Sequence, residues 1–202
     1  MTFQQLRRYW HIELLGGAHK RFSWRRLRAK YVQRSRYRYL FWFRFAQYLH
    51  SSRSKFLRKR AERLADRIAE RFGIEIALGA QIGEGLFIPH PVGIVITRKA
   101  VIGKNFSIFQ NTTIGQKNDD SAPILIGDNV TVGANACIIG HNLRIGNNVT
   151  IAAAAFVNKD IPDDHLFVTR YASELIEPRQ GATLISTRHS RQAQQPQPTK
   201  PA

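Results

Sequence analysis

From Ile76 onward the chain repeats itself every six residues. Aliphatic side chains stand at Ile76, Ile82, Ile88 and Ile94, at Ile102, Ile108 and Ile114, at Ile126, Val132 and Ile138, and at Ile145, Ile151 and Val157. Most are followed by glycine or another small residue, as in IGEG, IGKN, IGDN, VGAN and IGNN. A period of six matches neither an amphipathic helix nor a simple hairpin. It predicts a parallel β-helix in which each hexad is one flat face and three faces close a coil. The aliphatic residue points inward, and the small residue lets the chain turn tightly at the corner. At about eighteen residues per coil, roughly five coils fit between residues 74 and 160. The register breaks three times: eight residues from Ile94 to Ile102, twelve from Ile114 to Ile126, seven from Ile138 to Ile145. The longest step holds the polar stretch GQKNDDSAP, which is either a hexad with a poor core residue or a loop leaving the coil. The shortest adds one residue around His141-Asn142.

Upstream the period changes. Leu57, Ala61, Leu64, Ile68 and Phe72 form one apolar stripe at helical spacing, with Ser54 placed to cap the start and Gly73 the end. The preceding YRYLFWFRFAQYLH alternates like a strand but has the length and flanks of a helix. Residues 1–35 are basic and mixed, and their pattern assigns no firm structure. The chain therefore divides into a basic N-terminal segment (1–35), an α-helical region (36–72), a β-helix (73–162) and a C-terminal extension (163–202). The Gln- and Pro-rich end, from about residue 186, is expected to be disordered. The fold class is mainly β, a parallel β-helix preceded by a basic helical region.

Charge sharpens this division. Of the formal net charge of +17, residues 1–72 carry +16, and all three tryptophans fall there as well. Such a surface expects an anionic partner. Arginines interleaved with aromatic rings suit an anionic membrane face, here through residues 1–50, or an acidic glycan. A helical cap with a solvated basic face is the plainer reading. Nucleic acid is disfavoured because no recognised nucleic-acid motif is present. A single cysteine, Cys137, cannot close an internal disulfide and points to a reducing compartment. No apolar leader and no run of about 18 apolar residues is present, so the expected address is cytoplasmic, at most peripheral to the inner face of the membrane.

The stretches GIEIALGAQIGEGLFIPHPVGIVI, QNTTIGQK, IGDNVTVGANACIIG and IGNNVTIAAAAFVNKDIP resemble the hexapeptide-repeat acyltransferases. Within them the chain is most similar to the serine acetyltransferase branch and its relatives that modify capsular or exopolysaccharide sugars. The resemblance covers about residues 36–162. It implies a left-handed coil, an exception to the usual crossover hand. It also implies a homotrimer with acetyl-coenzyme A bound between neighbouring subunits.

His90, in GLFIPHPVG, aligns with the family's catalytic histidine. Acetyl transfer to a hydroxyl needs a base, and imidazole can take that proton and return it to the leaving thiolate. Glu75, fifteen residues upstream, matches the acid that orients this histidine, with Glu in place of Asp; a solvated acid is the alternative. The acid that normally precedes the histidine is replaced by Pro89. For the cofactor, the resemblance points to Gly115, Ala134 and Ala153 as small positions along the pantetheine arm, and to Lys159 near its phosphate end. Tight corners and a solvated lysine account for these residues equally simply. Cys137 reads as a small filler with no histidine at ligand spacing, so no metal is expected.

The family's basic Arg-His pair before a proline is here Ser121-Ala122-Pro123, without charge. A free amino acid needs charged partners, so the expected acceptor is a sugar hydroxyl of a capsule, exopolysaccharide or O-antigen precursor. Asp119 and Asp120 are candidates to bind its hydroxyls. A serine O-acetyltransferase of cysteine biosynthesis is the alternative enzyme. A non-catalytic β-helix protein binding glycan or membrane is the alternative of another class.

Overall fold

The computed structural model describes residues 1–17, 21–116 and 122–172, and most of the described basic region is helical. Four helices precede the strands: α1 (Phe3–Leu15), α2 (Trp24–Gln33), α3 (Ser35–His50) and α4 (Lys55–Phe72). Residues 1–35, which the sequence left unassigned, hold the first two. Thr2 closes a capping box on α1 with Gln5, and the Ser23 hydroxyl accepts from the Arg26 amide at the start of α2. The ambiguous aromatic segment is α3. Its buried residues Tyr39, Leu40, Phe43 and Ala46 follow the helical stripe, and the Tyr39 and Phe43 rings stack one turn apart at 5.8 Å. Ser54 caps α4 and Gly73 ends it in the left-handed conformation at φ 62°.

The remainder is a parallel β-solenoid of three sheets. The first contains β1 (Ile74–Ile76), β3 (Ile94–Ile96), β6 (Thr113–Gln116), β9 (Cys137–Gly140) and β12 (Phe156–Val157). The second contains β2 (Gln81–Ile82), β4 (Ala100–Ile102), β7 (Ile124–Ile126) and β10 (Arg144–Ile145). The third contains β5 (Ser107–Ile108), β8 (Thr131–Val132), β11 (Thr150–Ile151) and β13 (Leu166–Phe167), and Phe87 bridges onto it. All pairings are parallel, and one inward aliphatic stacks on the next, as in Ile76, Ile96, Ile114, Ile138 and Val157. The last strand, β13, lies beyond residue 162. All these elements belong to one compact unit, Met1–Thr169.

Three details differ from the six-residue reading. Each face carries two inward positions, because the residue two before each aliphatic is also buried, as at Leu86, Phe106, Val130 and Val149. The eight-residue step moves: Ile96, not Ile94, pairs with Ile76 and Ile114, so the two extra residues fall in the turn 89–93. The third concerns the corners between the second and third sheets, where the glycine directly after each aliphatic, Gly83 or Gly103, is not the turning residue; the residue two further on is. A Cβ on Gly83 would lie 2.5 Å from the Gly103 carbonyl oxygen, so glycine is needed there for close approach of successive rungs. The left-handed corner residues are Gly85 at φ 89° and then Asn105, Asn129, Asn148 and Asp164 at φ 55–61°. The side chains of the last four form a ladder: Asn105 donates to Asn129, Asn129 to Asn148 and Asn148 to Asp164, at 2.8–2.9 Å. Asparagine tolerates this conformation and here also satisfies its neighbour.

Helices and solenoid meet at a buried ion pair. Arg44 Nη2 lies 2.5 Å from Glu13 Oε1, and the two side chains are 1% and 0% exposed. Arg44 also donates to the carbonyls of Ile82 and Gly83, and Glu13 accepts from the Leu86 amide at 3.2 Å. Burial pushes the Glu13 carboxyl up, and Arg44 and the backbone donors pull it back. Trp10 stacks on Phe41 at 4.4 Å and completes the contact between α1 and α3.

Candidate functional site

The solenoid has three edges, and they differ. The edge from second to third sheet is built from the asparagine ladder, and its polar groups satisfy one another. The edge from third sheet back to first has no such ladder. It is formed by residues 89–93, 109–111, 133–135 and 152–154, stacked through Asn111 to Val92, Asn135 to Gln110 and Ala154 to Ala134 backbone hydrogen bonds.

His90 lies on this edge, in the turn that the two extra residues widen. The turn closes through the Val92 amide on the His90 carbonyl at 3.0 Å and ends at Gly93, φ 66°. A Cβ on Gly93 would lie 2.2 Å from the Asn111 side-chain oxygen, so glycine is required. Pro89 and Pro91 flank the histidine and fix the chain on both sides. The imidazole is exposed, and among the described residues it has no hydrogen-bond partner.

Glu75 occupies the outward position of β1, with Val95 as its Cα partner. Its carboxylate is exposed and makes no hydrogen bond to His90 among the described residues. It instead lines a groove of about 380 Å³ with His50, Asp66 and Arg98, between α4 and the first rung. Ala134 and Ala153 lie on the same edge as His90, two and three rungs along. Gly115 and Lys159 lie at the opposite margin of the first sheet, where the chain leaves for the second. Lys159 is exposed and its ammonium sits 5.9 Å from the Phe167 ring centre. One chain therefore separates the candidate residues onto two edges. Between them the first sheet presents Val95, Thr113, Cys137 and Phe156 outward, and Val95 and Phe156 are 40% and 46% exposed. Cys137 is thus a half-buried residue of the coil face and not an inward filler, and burial pushes its thiol up.

Asp119, Asp120 and Ser121 lie outside the described residues, as does the tail from residue 186. Ala122 and Pro123 rejoin the coil before β7, and the Ala122 amide donates to His141 Nδ1 at 3.4 Å. No group of three His, Cys, Asp or Glu among the described residues is arranged to hold a metal ion. No helix among them is long and apolar enough to cross a membrane.

Sequence reasoning missed the Arg44–Glu13 pair. Glu13 is the only acid in the first 61 residues, on the apolar face of a helix, and that isolation was the available signal.

No protein-family model matches the chain. It is 42% identical over 95 residues to a serine acetyltransferase of Synechococcus elongatus, a match covering 46% of this chain and 38% of that one. The chain thus spans well under two thirds of the length of the curated relatives it matches. The crystal structure of Neisseria gonorrhoeae serine acetyltransferase superimposes with a TM-score of 0.66 at 26% identity, over 87% of this chain and 68% of that one. A serine acetyltransferase solved in complex with CoA superimposes with a TM-score of 0.57 at 27% identity, over 64% and 52%. The chain is thus a homologue of the serine acetyltransferases, built on the parallel β-solenoid of the hexapeptide-repeat acyltransferases.

Proposed function

We propose that the protein is an acetyl-coenzyme A-dependent O-acetyltransferase with His90 as its general base. The observation that carries this reading is the placement of His90 in a widened turn on the solenoid edge that also carries Ala134 and Ala153. The small side chains leave that edge open for a narrow pantetheine arm. His90 would take the proton of the acceptor hydroxyl as its oxygen attacks the thioester carbonyl, then pass it to the departing thiolate. Glu75 would orient the imidazole after a rotamer change, since the two do not touch in the free chain.

The active form would be a homotrimer. Gly115 and Lys159 lie across the first sheet from His90, so one copy cannot close a site around both margins. A neighbouring copy packed near the exposed Val95 and Phe156 would bring one copy's margin to the other's edge.

For the acceptor, the homologues favour serine. The uncharged Ala122-Pro123 segment favours a second reading, a sugar hydroxyl, because it offers no partner for an amino acid's carboxylate. Purified protein, acetyl-coenzyme A and a panel containing serine and sugars decide the matter by thiol release and acceptor mass shift. No thiol release with any acceptor would overturn the catalytic reading. The basic helices, with exposed Trp24 and Phe56, would hold the enzyme at an anionic membrane face inside the cell.

A further inference from the structure

A second cavity includes Phe87, three residues before His90, in its wall. Its volume is about 270 Å³, and Lys30, Arg36, Tyr37, Leu40 and Phe87 line it where α2 and α3 meet the first rung. The Arg36 guanidinium sits between two rings, 4.8 Å from the Tyr37 centre and 5.2 Å from that of Phe87. The Lys30 ammonium approaches the same tyrosine at 5.5 Å. Arg36 Nη2 donates to the Tyr37 hydroxyl at 2.9 Å, while Arg36 Nε is buried with no acceptor. Among the described residues neither cation has a carboxylate partner. The one acid in the wall, Glu13, is already held by Arg44.

Two cations converging on one ring repel each other, and a buried donor without an acceptor is costly. An anion rich in acceptor oxygens relieves both. The two rings confine the guanidinium, and the donors that Tyr37 does not take are left for a phosphoryl oxygen. The volume is just below the range of pockets for drug-sized ligands, about 300–1,000 Å³, so it suits a head group and not a whole acceptor. Phe87 is three residues from His90, which keeps their Cα atoms within about 11 Å. A sugar ring extended by its phosphate has a length of that order.

We propose that this cavity is a phosphoryl subsite, and that the acceptor is a sugar bearing a phosphate or diphosphate whose hydroxyl is presented to His90. The placement of the hydroxyl rests on His90 as general base and on the sugar-hydroxyl reading of the acceptor; the anion site rests on neither.

Calorimetric titration of the full-length protein with glucose 1-phosphate, inorganic pyrophosphate and glucose tests it. Both anions should bind and glucose should not. Arg36→Gln and Lys30→Gln should each weaken anion binding about tenfold or more, whereas Arg58→Gln on α4 should leave it unchanged. Lys30 is half-exposed, so its variant reports on the site even if Arg36→Gln unfolds. His90→Ala should bind the anions as the parent does, which separates this proposal from the catalytic one. Equal affinity in parent and Lys30→Gln would overturn the subsite. Displacement of pyrophosphate by coenzyme A would assign the cavity to the cofactor and overturn it too. Binding to phosphatidylglycerol vesicles that depends on Lys30, without binding of either soluble anion, would replace it with a lipid headgroup.

Discussion

Arg44 and Glu13, 31 positions apart in sequence, form an ion pair that water does not reach, and through it two helices grip the first rung. Each is compensated by the other and by backbone groups of residues 82–86. Removing one partner strands a buried charge, which costs about 3–5 kcal/mol, whereas replacing both with apolar residues costs much less. Arg44→Met should therefore lower the thermal midpoint sharply, and Arg44→Met with Glu13→Leu should recover much of the loss. A double variant less stable than the single one would contradict this account.

His90→Ala should lower turnover by roughly 10²–10⁴-fold, the usual contribution of acid–base catalysis, with little change in coenzyme A affinity. Glu75→Gln should cost less. Steady-state kinetics at saturating acetyl-coenzyme A measure both. A His90→Ala enzyme within a few-fold of the parent would remove His90 from the mechanism.

The asparagine ladder gives a cleaner stability test. Asn129 stands at φ 58° and is bonded above and below. Glycine keeps the conformation and loses the bonds, while alanine loses both. Asn129→Gly should therefore be more stable than Asn129→Ala by about 1–2 kcal/mol, the left-handed penalty of a Cβ. Urea unfolding of the two variants reads the difference, and equal midpoints would show that the corner is not conformationally demanding.

Glu84 links α1 to the solenoid through Arg8, with Lys104 at 3.6 Å. The hydrogen bond from Arg8 holds the Glu84 carboxyl below the ordinary glutamate range. The folded pKa is depressed, so this stabilisation is complete above the ordinary value and disappears as pH falls through the lowered one. Stability should thus decline in acid less steeply for Glu84→Gln than for the parent. Arg8 is exposed, so the difference should shrink in high salt. Unfolding midpoints between pH 3 and 6, at two salt concentrations, check both statements.

Self-association should depend on the outward face of the first sheet. Light scattering should report a trimer, and Phe156→Asp should shift it toward monomer by placing a charge in an apolar contact. A parent protein that is monomeric at micromolar concentration would leave the two margins unjoined.

The hexads made the solenoid legible because an inward aliphatic every six residues is a strictly local signal. Their register at Ile94 was misread for the same reason: Ile94 and Ile96 are both inward, and only pairing with Ile76 and Ile114 distinguishes them. The motif singled out His90 as a candidate, yet the widened turn that displays it was not legible. The helical region hid more. Glu13, Arg36 and Arg44 read as ordinary charged residues until helices far apart in sequence converge, and long-range burial leaves no periodic trace.

The widened turn has a further consequence. Rungs on either side of residues 89–93 keep their pairing, so the frame does not register what the turn contains. Closing a longer loop costs only about 0.6 kcal/mol per doubling of its length. The segment that carries the proposed base is therefore also where the chain can be lengthened or exchanged at least expense. New acceptor preferences could arise there by insertion, without the scaffold having to be refolded around them.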